Sequence, residues 1–134
     1  MKVLSTILFF LLGFNSIAQE FNTGEIDPGQ IVICRSMIDV ANEKLKSEPE
    51  NEKLYQQRAM AFFVLKEYNN AINDFSKLIE MKTEKKSEYY FYRGLSKLMS
   101  QTEYQTSACD DIKNAKLEGF KKDDWEKIDE MCGL

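Results

Sequence analysis

Residues 58–75 read RAMAFFVLKEYNNAINDF. Ala59, Phe62, Phe63 and Leu65 follow helical spacing, and so do Ala71, Ile72 and Phe75 beyond the break at Lys66-Glu67-Tyr68-Asn69. The stretch predicts two short amphipathic helices joined by a tight turn, with Asn69 as N-cap of the second. A hairpin of this size cannot bury its apolar faces alone. It needs either a bundle around it or further copies of itself.

The same periodicity extends outward in both directions. Ile31, Cys34, Ile38, Ala41 and Leu45 define a helix over Ile31 to Lys46, ended by Ser47-Glu48-Pro49 because the residue before a proline disfavours helix. On the other side, Ser87 is placed to cap a helix carrying Tyr90, Phe91, Gly94, Leu95 and Leu98. Thr106 is placed to cap one carrying Ala108, Cys109, Ile112 and Ala115, stopped at Glu118-Gly119-Phe120 with Gly119 suited to a left-handed position. Asp123-Asp124-Trp125-Glu126 has the form of a capping box and opens a last short helix with Trp125, Ile128 and Cys132 on one side. No run alternates long enough to propose a strand. The expected fold is all-α, with six helices after a turn-rich leader ending near Gln30.

The first residues, MKVLSTILFFLLGFNSIAQE, carry a different message. A basic start at Lys2, an apolar run from Val3 to Phe14, and small residues at Ser16 and Ala18 form the pattern of a secretory signal peptide over 1–18. The run is short for a membrane anchor, which needs roughly 20 apolar residues. Export to a periplasmic or extracellular compartment is expected, followed by a loose leader over 19–30, and no membrane insertion once the signal is removed.

Chemistry is narrowed by what is missing. The 134 residues contain no His, which removes the commonest general base and metal ligand. The net charge of −4 argues against nucleic acid and anionic membrane surfaces, which call for a basic stripe. Cys34, Cys109 and Cys132 have no zinc-ligand spacing, and no glycine-rich phosphate loop or EF-hand loop exists. Asp110-Asp111 and Asp123-Asp124 form no catalytic dyad. No enzyme, metal or cofactor is expected. In an oxidising compartment three cysteines account naturally as one pair and one remainder.

Self-similarity answers the question raised by the hairpin. Tyr55-x-x-Arg58-Ala59-x-x-Phe62 aligns with Tyr90-x-x-Arg93-Gly94, and Ala71-x-x-Asp74-Phe75-x-x-Leu78 aligns with Ala108-x-x-Asp111-Ile112-x-x-Ala115. This resembles the tetratricopeptide repeat, with its small residues where paired helices cross and aromatics beside them. The resemblance covers about 31–132 and is strongest over 52–85. It implies a short right-handed α-solenoid of antiparallel helix pairs. Complete repeats lie near 52–85 and 87–120, the 31–46 helix is the second half of an earlier unit, and the terminal helix 123–132 is the first half of a later one. Ala59, Gly94, Ala71 and Ala108 would be small because a partner helix crosses there. Two departures stand out: Thr83 replaces the expected proline, and Lys97 takes a slot expected to be aromatic.

Arg58 precedes Asp74, and Arg93 precedes Asp111, by nearly the same interval. Two readings compete for these arginines: salt bridges within each hairpin, worth ~1 kcal/mol or less if partly exposed, or ligand contacts. The resemblance implies a Cys109–Cys132 disulfide, against the alternative of two thiols packed as small hydrophobes. It also places the first helix of each pair on the concave side. There Gln56, Met60, Phe63 and Val64, then Phe91, Leu95, Leu98 and Met99, would form an apolar strip, with Gln56 and Tyr92 at its polar margins. That strip could receive a peptide or protein segment, be covered by Phe21 and Ile26 of the leader, or belong in part to the core. The expected function is a protein-protein interaction module, with a structural subunit of a larger envelope complex as the alternative. Partner identity and oligomeric state are not specified by the sequence.

Overall fold

The computed structural model describes residues 25–100, 105–122 and 125–133. The proposed signal segment and most of the leader, including Phe21, lie outside them. The described chain is all-α. Six helices follow one another: α1 (Pro28–Lys44), α2 (Glu52–Val64), α3 (Tyr68–Glu80), α4 (Lys86–Met99), α5 (Gln105–Leu117) and α6 (Glu126–Cys132). No strand occurs among the described residues. The main packing is between helices consecutive in sequence, α1 on α2 through to α5 on α6.

Several boundaries differ from expectation, each for a local reason. α1 begins at Pro28, three residues before Ile31, because Asp27 caps it. The Asp27 carboxylate accepts from Gly29 N at 2.9 Å and Gln30 N at 3.3 Å, and Pro28 occupies the first turn, where its missing N–H costs nothing. The leader is correspondingly shorter than 19–30. α2 does not hand over to an Asn69 cap. Lys66 takes a left-handed φ of 60°, Glu67 N bonds Phe62 O at 2.8 Å and Lys66 N bonds Phe63 O at 3.0 Å. This Schellman turn ends α2 so abruptly that α3 has begun by Tyr68, with Glu67 as N-cap and Asn69 inside the helix. Gly119, φ 85°, closes α5 in the same way: Phe120 N bonds Ala115 O at 2.9 Å.

Neither Ser87 nor Thr106 is a cap. Thr83 Oγ1 accepts from Lys85 N at 3.1 Å, and Lys85 O accepts from Glu88 N and Tyr89 N, so α4 starts ahead of Ser87. α5 starts at Gln105, ahead of Thr106. α6 opens after Trp125, which makes no side-chain capping bond; the expected capping box rests on Asp123, which with Asp124 lies outside the described residues.

The small residues sit at helix crossings. Ala59, Ala71 and Ala108 are fully buried. A Cβ placed on Gly94 would meet Ala108 O and Ile112 Cδ1 at 2.9 Å and Asp111 Cβ at 3.1 Å. The contact with Ala108 is to backbone, so α4 and α5 approach as closely as they do only because Gly94 has no side chain. Phe75, Leu78, Tyr89, Phe91 and Ile112 fill the main core around these crossings. A smaller cluster of Cys34, Ile38 and Ala61 joins α1 to α2. Cys34 is a free thiol, wholly buried, and burial pushes its pKa up against the lowering effect of Arg35.

Candidate functional site

The two Arg–Asp pairs are the most regular feature of the interior. Arg58 donates through Nε to Asp74 Oδ2 at 2.8 Å and through Nη2 to Asp74 Oδ1 at 2.7 Å. Arg93 repeats this on Asp111 with the same two distances. Each guanidinium spends its remaining nitrogen on the preceding helix: Arg58 Nη1 on Asn42 Oδ1 at 2.7 Å, Arg93 Nη1 on Ser76 Oγ at 3.1 Å. Each also lies against a tyrosine one turn earlier, Tyr55 and Tyr90. One arginine thus ties three successive helices, α1–α2–α3 and then α3–α4–α5. Asn42 and Ser76 carried no sequence signal, since a short polar residue on a helix surface is common. Asn42 on α1 and Ser76 on α3 thus play the same part for Arg58 and Arg93.

These pairs are more buried than a partly exposed bridge. The Asp side chains are 8% and 4% exposed and the Arg side chains 19% and 18%. The arginines are therefore occupied by structure and are not free for a ligand. The modest worth expected of an exposed pair does not apply, because removing one partner strands the other out of water. Lys97, which broke the aromatic pattern, has a polar task instead: its Nζ lies 2.7 Å from Asp111 Oδ2.

The apolar strip is only partly available. Met60, Phe91, Tyr92 and Leu95 are buried in the main core, and Gln56 is 6% exposed. For these residues the expectation of an open binding surface is corrected. Phe91 is covered from the C-terminal side: Phe120 stacks on it at 4.6 Å and Trp125 meets it edge-on at 5.7 Å. Tyr92 lies between Phe63 (5.8 Å, edge-on) and Phe75 (5.8 Å, stacked), and burial pushes its phenol pKa up to about 12. Phe63, Val64, Leu98 and Met99 remain half-buried. Ile26 is also half-buried.

Gln56 has a second property that sequence does not show. Its Nε2 is buried and has no hydrogen-bond partner among the described residues. Such a donor costs about 1–3 kcal/mol. The residue borders an open cleft of about 590 Å³ between the first turn of α2 and the connection to α4, with Lys53, Thr83 and Lys85 among its walls. The cleft is braced by Glu52, whose Oε1 accepts from Thr83 Oγ1 and from Tyr89 OH, both at 2.7 Å. The Tyr89 bond, then that of Thr83, holds the Glu52 carboxyl below its usual pKa against the opposing effect of burial. Thr83 thus fixes the turn by side-chain bonds where a proline was expected.

Cys109 and Cys132 form a disulfide between α5 and α6, with a Cα–Cα distance of 5.5 Å. No group of His, Cys, Asp and Glu able to hold a metal occurs among the described residues, and no described helix is long and apolar enough to cross a membrane. Compared with known protein families, curated proteins and solved structures, the chain matches none of them.

Proposed function

We propose that the chain is an exported helical-repeat module of tetratricopeptide type that holds a protein or peptide segment and performs no chemistry. The architecture behind this reading is a right-handed stack of two helix pairs flanked by half-units. Its support is the repeated Arg–Asp fork and the small residues at both crossings. The observation that carries the binding function is Gln56. Gln56, Met60, Phe63 and Val64 recur at helical intervals along one side of α2. A segment lying along that side would begin at the cleft, where an amide donor lacks an acceptor, and end on half-buried apolar groups. Gln56 must swing out of its buried position to reach a backbone carbonyl of the segment, whose apolar side chains meet Phe63, Val64 and Met99.

The test pairs stability with binding. Gln56→Leu removes an unfulfilled donor, so thermal stability is expected to rise while capture of a partner from a cell-envelope extract falls. Met99 belongs to neither core cluster among the described residues, so Met99→Asp is expected to weaken capture without lowering the melting temperature. Undiminished capture by both variants would overturn the assignment.

The alternative, a fixed subunit of an envelope assembly, draws on other residues. Val32 and Val40 on α1 are 69% and 49% exposed, and Leu117 at the end of α5 is 84% exposed. Apolar groups in the first and the penultimate helix suit permanent neighbours. A monomer that stays soluble on size exclusion would count against it.

A further inference from the structure

α6 is poorly equipped to hold its own position. It has seven residues and buries only Ile128, and its N-cap Trp125 makes no side-chain capping bond. Isolated helices shorter than ~12 residues are marginal in water. Beyond Ile128 and Trp125, its attachment among the described residues includes a partly exposed Lys116–Asp129 ion pair and the disulfide to α5. Yet this weakly held element covers something apolar. Trp125, just ahead of it, meets Phe91 edge-on at 5.7 Å and completes a cover begun by Phe120, so that Phe91 is 1% exposed, although it belongs to the strip where the repeat pattern places a partner.

The bond that holds the cover is within reach of solvent. Cys109 and Cys132 are both half-buried, and both line an open cleft of about 480 Å³ that Thr106 and Lys113 also border. The cleft brings solvent up to both bridged cysteines, whereas the remaining cysteine, Cys34, is sealed in the core.

We propose that the Cys109–Cys132 disulfide is a redox clasp, whose reduction releases α6 and Trp125 from Phe91 and opens an aromatic surface that the oxidised chain keeps closed. The reductant is a dithiol. Its thiolate attacks one cystine sulfur and forms a mixed disulfide as the S–S bond breaks, and the departing sulfur takes a proton. The second thiol of the reductant then displaces the other cysteine. Two electrons and two protons pass to the protein, giving two thiols, and the dithiol leaves as a disulfide. The clasp goes beyond the binding reading and does not depend on it, since the opening is detected on the chain itself.

Trp125 is the single tryptophan and reports directly on the cover. The oxidised full chain is treated with dithiothreitol, and the two released thiols are counted. Trp125 emission is expected to shift to the red and become more quenchable by acrylamide. Amide exchange over α6 is expected to accelerate by roughly a hundredfold, the loop-closure effect of a ring of this length, with α2 to α5 still protected. The Cys109→Ser/Cys132→Ser variant should behave the same without reductant. Three results would overturn the proposal: an unchanged Trp125 signal after full reduction, collapse of the whole helical signal (a global staple), or a native disulfide that resists dithiothreitol.

Discussion

Lys97 Nζ lies 2.7 Å from Asp111 Oδ2, the same oxygen that accepts from Arg93 Nε, so one buried carboxylate holds two cations from one helix. Arg93 and Lys97 are four residues apart on α4 and would repel each other without it. Asp111→Ala is expected to cost about 3–5 kcal/mol, because it leaves two largely buried cations without their counter-charge. Lys97→Met keeps the bidentate fork and should change stability by less than ~1.5 kcal/mol. Urea denaturation of both variants checks the contrast, and equal losses would refute it.

Gly94 leaves no room at the crossing of α4 and α5. Gly94→Ala drives a methyl against the backbone oxygen of Ala108, so α4 and α5 must separate. A loss of about 1–3 kcal/mol is expected, even though alanine is the better helix former. Thermal unfolding measures it, and a stabilised variant would show that the crossing has slack.

Lys66 stands in a left-handed conformation that Gly119 occupies without a side chain in the matching turn of α5. Lys66→Gly is therefore expected to stabilise the protein by up to about 1 kcal/mol, since the conformation disfavours any Cβ. Chemical denaturation decides the sign.

Two glutamates act on stability with opposite pH dependence. The Glu52 carboxyl is held below its usual pKa, chiefly by the Tyr89 hydroxyl, so its contribution is present above the ordinary carboxylate range and is lost as pH falls through its folded pKa. Burial raises the Glu88 pKa, with Lys85 opposing, so the folded state loses stability as pH rises from the ordinary value towards the raised one. Glu52→Gln should thus lower the melting temperature at neutral pH and Glu88→Gln should raise it. Both differences should shrink as the medium becomes acidic enough to protonate the two side chains. A Glu88→Gln variant that melts lower at neutral pH would contradict the second sign.

Much of this molecule follows from local pattern. The helices over residues 52–80 and 86–117 were legible because apolar spacing of three and four reflects the pitch of a single helix. The Arg58–Asp74 and Arg93–Asp111 pairings were legible as one of two readings because the intervals between their members, 16 and 18 residues, are nearly the same. Gly119 was legible because a left-handed helix end favours glycine. The Asp27-Pro28 start of α1 was present in the sequence as an N-cap followed by proline, but a turn reading of Pro28-Gly29 obscured it.

Periodicity fixed which residues share a side of a helix, because that depends only on the pitch of one element. It did not fix what lies opposite. Whether Phe91 faces solvent or a neighbour was decided by Phe120 and Trp125, brought over it by the closing turn at Gly119 and by the tie between Cys109 and Cys132. Whether Gln56 finds an acceptor, and whether Arg58 reaches Asn42, likewise depended on the approach of separate helices. Those distances follow from packing across the assembled chain, which no single stretch of sequence contains.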